Sequence, residues 1–401
     1  MLDFSTKKGR TMNKLYLTVG TFLFICLFTL GMSQGDTGGE SGGETGGASA
    51  TDDSGTPLRE LAEERDLLIG AALQADPLRN EETYAEIAAR EFNWLYPEGS
   101  FLISEMHTAE DPYSLSNTEG LADLDTIVDF AVENDAAVQA AHLVWFLEAS
   151  WAPWLNDIPD DRRREFISKR INDVMTRYDG KVDTYNVVNE AFEKDGTLRG
   201  ETTQDTENWL YEENPEEPYG YIEYAFKEAR AANPDAKLYY NDYGLEYPSA
   251  KWDAVLEMVT DFVERGLPID GVGFQGHLNM KWGGLPPASG MAEHMQQLEE
   301  LGLEVRVTEF DIGIETGDND AYADTTEAER VEIQAQTYED YLNVCLEAPN
   351  CTGFGLWGFT DKYSWITTEE WGGSPEAKPL LFNTNYEPKA TYESVHDTLQ
   401  Q

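Results

Sequence analysis

The chain has 401 residues, 41% of them hydrophobic, which is enough to build a large core. Its 76 acidic residues against 28 basic ones give a formal net charge of -48, and a surface of that sign repels nucleic-acid phosphates and anionic lipid, which argues against a nucleic-acid partner. At 1 M salt the repulsion between like charges is screened beyond roughly 3 Å, so the high charge favours a protein adapted to high salt. An ordinary acidic secreted protein is the alternative.

The N-terminal segment has the pattern of a targeting sequence. Basic residues precede an apolar stretch from Leu15 to Met32, which is typical of a secretory signal. The stretch of about 18 residues also approaches the length of a membrane span. We therefore predict a signal peptide or an uncleaved membrane anchor over residues 1–32, and a secreted or cell-surface protein. Residues 33–57 are rich in Gly, Ser, Thr and acidic residues and predict a linker.

From Leu58 onward, short apolar segments alternate with amphipathic helical stretches. The predicted strands are Leu67–Leu73, Glu91–Leu95, Ala137–Trp145, Val182–Val188, Lys237–Asn241, Gly271–Gln275, Glu304–Thr308 and Gly353–Phe359. Helical periodicity is clearest over Ile222–Ala232, Trp252–Arg265 and Ala292–Leu301. Eight mostly apolar strands separated by helices predict one α/β catalytic domain over residues 58–401, a (β/α)₈ TIM barrel. A doubly wound sheet is the alternative.

Two glutamates follow predicted strands. Glu190 comes after the fourth strand and Glu309 after the seventh, and barrel enzymes carry their catalytic groups at these strand ends. Two carboxylates across a barrel mouth suit glycosidic cleavage, because one can protonate the leaving oxygen while the other attacks the anomeric carbon. In a chain with 76 acidic residues, however, two solvated loop glutamates would give the same pattern.

Two cysteines lie six positions apart near the C-terminus. In a secreted protein, Cys345 and Cys351 would form a small-loop disulfide; two free buried thiols are the alternative. The five histidines show no ligand-like spacing, and no glycine-rich phosphate loop precedes a helix. We therefore expect neither a metal nor a nucleotide cofactor. We also expect a monomer.

Five ordered segments resemble a known family. They are Asp183–Phe192, Lys237–Tyr243, Gly271–Leu278, Val307–Ile312 and Leu356–Trp365. Together they resemble glycoside hydrolase family 10, whose best-known members are endo-1,4-β-xylanases. The resemblance implies a retaining enzyme that hydrolyses internal β-1,4 bonds of xylan by double displacement, so the expected partner is a polysaccharide.

The resemblance also implies roles for individual residues. Glu190 would be the acid/base and Glu309 the nucleophile, oriented by His277. Asn189 would hydrogen-bond the sugar 2-hydroxyl, and Asp311 would have an orienting role. The other implied substrate-binding residues are Gln275, Asn241, Glu98, Trp145, Trp357 and Trp365. Cys345 and Cys351 stand where the family often has a disulfide.

The sequence departs from the family pattern on the glycone side. Gly99 and Leu102 replace the family's asparagine and lysine, and the histidine of the third strand is either lost or moved one position, to His142. A one-residue shift would turn that side chain to the other face of the strand. The alternatives are therefore a barrel glycosidase acting on another β-glycan, or a non-catalytic carbohydrate-binding protein.

Overall fold

The computed structural model describes residues 55–199, 210, 217, 219–317, 321–368 and 373–401. The predicted signal or anchor over residues 1–32 lies outside the described residues, as does the predicted linker as far as residue 54. Among the residues that are described, no helix is both long and apolar enough to cross a membrane.

The strands of the described chain close into a barrel. They are β1 (Leu68–Leu73), β2 (Trp94–Pro97), β3 (Ala137–Ala140), β4 (Val144–Trp145), β5 (Thr184–Asn189), β6 (Lys237–Asp242), β7 (Gly271–Phe274), β8 (His277–Asn279), β9 (Glu304–Gly313) and β10 (Cys351–Leu356). Parallel pairing runs in the order β10-β1-β2-β3-β5-β6-β7-β9, and β9 pairs back to β10. The short strand β4 continues the line of β3, because both pair with β5. In the same way, β8 continues the line of β7, because both pair with β9. The closed ring confirms the predicted (β/α)₈ barrel and rules out a doubly wound sheet.

Helices alternate with these strands. They are α1 (Leu58–Glu63), α2 (Ala75–Asn80), α3 (Glu82–Glu91), α4 (Ile103–Met106), α5 (Thr118–Glu133), α6 (Arg163–Arg177), α7 (Gly220–Ala232), α8 (Ala250–Arg265), α9 (Ser289–Glu300), α10 (Glu327–Glu347) and α11 (Ala390–Gln400). Local sequence explains many of their ends. Ser249 caps α8 by accepting a hydrogen bond from Trp252 N at 3.1 Å, and Gly266 ends this helix in the left-handed conformation. The three predicted helices lie within or overlap α7, α8 and α9.

The hydrophobic core lies between the barrel wall and the helices. Phe310, on the outer face of β9, is fully buried, and its ring centroid lies 5.0 Å from Tyr338 and 5.2 Å from Tyr341 on α10. Aromatic pairs of this kind contribute about 0.5–1.5 kcal/mol each beyond their buried area. This packing fixes the strand on which Glu309 and Asp311 lie.

Several predicted strand boundaries were wrong. Glu91 does not begin the second strand but ends α3, because its carboxylate is buried and accepts hydrogen bonds from Leu58 N at 3.0 Å and Tyr392 Oη at 3.1 Å. The third predicted strand is interrupted between β3 and β4. The sixth ends at Phe274 rather than at Gln275. Gly276, between β7 and β8, has a φ of +76° and lies so close to Phe310 that a β-carbon would not fit. The seventh continues to Gly313.

Candidate active site

Glu190 directly follows β5 in an unusual backbone conformation. Its φ is +53°, a left-handed value that non-glycine residues rarely adopt and that often occurs at functional sites. Glu190 N donates to Asn241 O at 2.9 Å, and Arg199 Nε donates to Glu190 O at 2.8 Å. Neighbouring elements therefore fix the strained backbone from both sides.

The carboxyl group of Glu190 is almost completely buried. Its Oε1 accepts hydrogen bonds from Gln275 Nε2 at 3.0 Å and from Asn189 Nδ2 at 3.3 Å. Burial raises the pKa of Glu190, and the nearby carboxylates of Asp242 and Glu309 raise it further, although the bond from Gln275 opposes the shift. A carboxyl group with a raised pKa can keep its proton until a reacting oxygen needs it.

Glu309 lies on β9 and is held by two donors. Asn241 Nδ2 donates to Glu309 Oε1 at 2.8 Å, and His277 Nε2 lies 3.1 Å from Glu309 Oε2. Glu309 N also donates to Gln275 O at 2.9 Å. The side chain is only 8% exposed, so these contacts determine its orientation.

His277 bridges two carboxylates. Its Nδ1 lies 3.0 Å from Asp311 Oδ1, and Asp311 Oδ2 accepts a hydrogen bond of 2.8 Å from Trp365 Nε1. Burial disfavours a charged imidazole, but Asp311 and Glu309 outweigh it and raise the pKa of His277 well above its usual range. The protonated ring can donate to both carboxylates at once.

Amide side chains link the two glutamates. Asn189 Oδ1 accepts hydrogen bonds from Asn241 Nδ2 at 2.8 Å and from Gln275 Nε2 at 3.2 Å. Asn241 is fully buried, and its Oδ1 accepts from Thr308 Oγ1 at 2.7 Å. Every polar atom of the Asn241 side chain therefore has a partner within the protein.

Aromatic side chains border this group. The ring of Trp365 lies 4.9 Å from that of His277, and the ring of Trp357 lies 6.3 Å from it. Trp357 also lines a small cavity together with Glu309. Trp145 ends β4 in register with Asn189 and stacks on Trp151 at 5.0 Å. The structure thus brings all three predicted tryptophans to the C-terminal ends of the strands.

Glu98 follows β2 and lies within electrostatic reach of the same group. Its Oε2 accepts a hydrogen bond from Gln74 Nε2 at 3.0 Å. Burial raises the pKa of Glu98 to about 7, with further upward contributions from Asp311 and Glu309 and a downward one from His277. This carboxyl group therefore changes charge near neutral pH.

The third strand does not turn a histidine into the barrel mouth. Ala141 lines the small cavity beside Glu309 and Trp357, whereas His142 lies near Arg170 of α6. Burial lowers the pKa of His142 to about 3, and the charge of Arg170 contributes, so the ring is neutral. A small residue, Ala141, therefore lies at the cavity, and His142 does not.

Sequence reasoning missed a buried ion pair behind Glu190. Lys251 Nζ lies 2.5 Å from Asp242 Oδ1, and Tyr240 Oη donates to Asp242 Oδ2 while accepting from Ala191 N at 3.0 Å. A signal existed, because Lys251 occupies the first turn of α8, where the helix dipole disfavours a cation. An acidic partner offsets that cost, whereas the burial of the pair leaves no signal in the sequence.

Cys345 and Cys351 form a disulfide, with their Cα atoms 5.3 Å apart. It joins the last turn of α10 to the start of β10. Among the described residues, no group of three or more His, Cys, Asp or Glu side chains could hold a metal ion.

A closed (β/α)₈ barrel whose mouth holds two buried, linked glutamates beside tryptophan rings defines the class of a barrel glycosidase. The family model described as glycosyl hydrolase family 10 matches residues 57–398. The chain belongs to this family.

Similar proteins agree with this assignment. The chain is 32% identical over 349 residues to endo-1,4-beta-xylanase B of Thermotoga neapolitana, covering 86% of this chain and 92% of the relative. It is also 32% identical to endo-1,4-beta-xylanase 3 of Hypocrea jecorina, with 83% of each chain covered. The crystal structure of native xylanase 10B from Thermotoga maritima superimposes with a TM-score of 0.73 at 32% identity, covering 86% of this chain and 98% of that one.

Proposed function

We propose that this protein is a retaining endo-1,4-β-xylanase in which Glu190 is the acid/base and Glu309 the nucleophile. The observation that carries the proposal is the hydrogen-bonded group in which Asn189, Asn241 and Gln275 link the two buried glutamates. The endo-1,4-β-xylanases to which the chain is similar support xylan as the substrate.

The two glutamates divide the reaction between them. In the first step, Glu309 attacks the anomeric carbon while Glu190 gives its proton to the leaving glycosidic oxygen, which forms a glycosyl-enzyme. In the second step, Glu190 removes a proton from water as the water attacks the same carbon, and Glu309 leaves as a carboxylate. Two inversions give a product of retained configuration.

The surrounding side chains hold the sugar and the nucleophile. Asn189 carries an amide beside Glu190 and would bind the 2-hydroxyl, a contact that strengthens in the transition state. Trp357, Trp365 and Trp145 would stack against sugar faces. Asn241 is buried with all its polar atoms engaged, so we assign it to orienting Glu309 rather than to contacting the sugar.

A second candidate substrate is another β-glycan. The observation that favours it is the small residue Ala141 in the cavity beside Glu309, together with Gly99 and Leu102 in the loop after β2. These residues offer fewer polar contacts to sugar hydroxyls than larger polar side chains would. A sugar whose hydroxyl groups do not depend on polar partners at these positions would lose fewer hydrogen bonds on binding here than a sugar whose hydroxyl groups do.

We also propose that the enzyme acts outside the cell. A disulfide persists in an oxidising compartment, and Cys345–Cys351 is of this kind. Whether residues 1–32 are removed as a signal or retained as an anchor, the catalytic domain would meet the polysaccharide outside the membrane.

The test is hydrolysis of xylan, β-glucan, cellulose and mannan by wild type, Glu190→Ala and Glu309→Ala, with product anomers followed by NMR. We expect β-configured products from xylan and a loss of roughly 10²-fold or more in each variant. Glu304→Ala is the matched control, because Glu304 begins the strand on which Glu309 lies and should leave kcat unchanged. Inverted products would contradict the mechanism, and release only from another glycan would transfer the proposal to that substrate.

A further inference from the structure

Residues 360–368, here called the Trp365 segment, follow β10 and reach both sides of the candidate site. Trp365 donates to Asp311, which in turn contacts His277. Two residues earlier, Tyr363 O accepts a hydrogen bond of 3.2 Å from Gln74 Nε2, and the same nitrogen donates to Glu98 at 3.0 Å. The position of this segment therefore affects contacts to both Asp311 and Glu98.

One carboxylate outside the site holds this segment. Lys362 Nζ donates to Glu81 Oε1 at 2.9 Å and to Oε2 at 2.7 Å. The hydroxyl groups of Tyr363 and Tyr386 each donate to one oxygen of the same carboxylate. The Lys362 ammonium also lies 5.1 Å from the centroid of each tyrosine ring, within the range of a cation–π contact. Three donors from two separate parts of the chain thus converge on Glu81.

Glu81 itself is carried by a well-packed corner. It lies between α2 and α3, three residues before Tyr84, which is buried. The Tyr84 ring lies 4.5 Å from that of Phe359 and contacts the edge of Tyr363 at 5.7 Å. Hydrogen bonds from Lys362 and the two tyrosines lower the pKa of Glu81 to about 2, so the carboxylate stays ionised at any ordinary working pH.

We propose that Glu81 is a positioning residue for the candidate active site. It fixes the Trp365 segment so that Trp365 reaches Asp311, and the effect passes through Asp311 and His277 to Glu309. The kinetic part of this inference rests on the proposed xylanase function, whereas its structural part does not.

The kinetic test compares Glu81→Ala with Asp129→Ala on a xylo-oligosaccharide. Asp129 is the matched control, because it lies on α5 and forms an ion pair of 2.6 Å with Lys181, in the connection between α6 and β5. We expect Glu81→Ala to lower kcat/KM roughly tenfold, mainly through a lower kcat because the effect reaches the nucleophile Glu309, with a melting temperature close to that of the control. Glu81→Gln keeps the shape of the side chain and one acceptor oxygen, while the other oxygen becomes an NH2 group, so it should recover part of the loss.

A double-mutant cycle asks whether Glu81 acts through Trp365. In the Trp365→Ala background, Glu81→Ala should cause no further loss of kcat/KM, because the contact that it supports is already gone. Fully additive losses would overturn the inference, since they would mean that Glu81 acts by another route.

Amide hydrogen exchange tests the inference without substrate. In residues 360–368, Thr367 N donates to Ser364 O and Thr368 N to Trp365 O, so exchange there reports the order of the segment. We expect faster exchange in Glu81→Ala and no change in Asp129→Ala. Unchanged exchange would overturn the inference even if wild type is active. Faster exchange in a protein inactive on xylan would support the inference and contradict the proposed function alone.

Discussion

Asn241 and Glu309 are joined by a hydrogen bond of 2.8 Å from the Asn241 side-chain amide to Glu309 Oε1. The second proton of the same amide is donated to Asn189 at 2.8 Å. Asn241 lies on β6. Along the chain, β6 comes after β5, which ends next to Glu190, and before β9, which carries Glu309. One buried amide therefore sets the position of the candidate nucleophile relative to the amide that would bind the sugar.

Replacing Asn241 by alanine should lower kcat/KM on xylan. Glu309 Oε1 and Asn189 Oδ1 would each lose a donor inside a buried site. Hydrogen bonds to charged groups contribute about 1.5–3 kcal/mol, which corresponds to a loss of roughly 10- to 150-fold. Steady-state kinetics, together with a melting curve to confirm folding, measures this effect.

Thr308→Val is the matched control for that variant. It removes the donor to Asn241 Oδ1 but leaves both donors from Asn241 in place. A neutral hydrogen bond contributes only about 0.5–1.5 kcal/mol, so the loss should stay near tenfold or below. If Thr308→Val were as damaging as Asn241→Ala, the contact between Asn241 and Glu309 would not be the cause.

Asp311→Asn should lower the pKa of His277. The substitution removes the larger of the two negative charges that favour the protonated ring. Since the wild-type pKa is raised, the ring stays charged as pH rises through neutrality. In the variant it should lose its proton nearer the ordinary value of about 6.5, which leaves Glu309 without an adjacent cation. NMR titration of the imidazole, assigned with His277→Ala, measures the shift.

Trp365→Phe provides the comparison for this experiment. It removes the hydrogen bond from the indole to Asp311 Oδ2 but keeps the negative charge. The pKa of His277 should therefore remain raised. An unchanged His277 pKa in Asp311→Asn would show that Asp311 does not hold the charge on the ring.

Glu190→Gln should stabilise the protein at neutral pH and above. The folded-state pKa of Glu190 is raised, so the folded protein binds this proton more tightly than the unfolded chain does. The cost of the buried carboxylate is absent below about pH 4 and grows as pH rises towards the folded-state pKa. The gain in melting temperature should therefore increase with pH. Glu193→Gln, three residues along and paired with Arg199, should show no such gain; an equal gain in both variants, or none in either, contradicts the prediction.

The barrel could be predicted from the sequence because apolar segments and amphipathic stretches alternate along the whole domain. The strand ends were less predictable. Glu91 was assigned to a strand, yet its carboxylate binds Leu58 N, 33 residues earlier, and Tyr392 Oη, 301 residues later. Hydrogen-bonding partners so distant in sequence leave no local pattern.

In the candidate site, too, some residues could be predicted from the sequence and others could not. Glu190 and Glu309 follow predicted strands whose ends a barrel gathers at one face, and the resemblance to glycoside hydrolase family 10 distinguished them from other loop glutamates. Glu81 could not be predicted, because its three donors come from a segment about 280 residues later and from Tyr386 beyond it. His142 could be predicted in part. Strand alternation predicted that a one-residue shift would turn the side chain to the other face of the strand. It did not predict that Ala141 would line the cavity beside Glu309.

The acidic composition should make the stability depend on salt. Helices α5, α9 and α10 end in Glu133, Glu300 and Glu347 and have no basic residue in their last turn, where the helix dipole would favour a cation. Each such end costs about 0.3–1 kcal/mol at low ionic strength and less when salt screens it. Together with the net charge of -48, this predicts a melting temperature at least about 3 °C higher in 2 M than in 0.05 M NaCl.

A pair of variants on one helix separates the dipole from the net charge. Glu133→Lys and Glu119→Lys change the charge equally, but Glu133 lies in the last turn of α5 and Glu119 in the first, and both are exposed. At low salt, Glu133→Lys should raise the melting temperature more than Glu119→Lys, because only the former places a cation at the negative end of the helix. The difference should shrink in high salt. Equal shifts in the two variants would assign the salt dependence to net charge alone. A wild-type melting temperature that falls as NaCl is added would contradict adaptation to high salt.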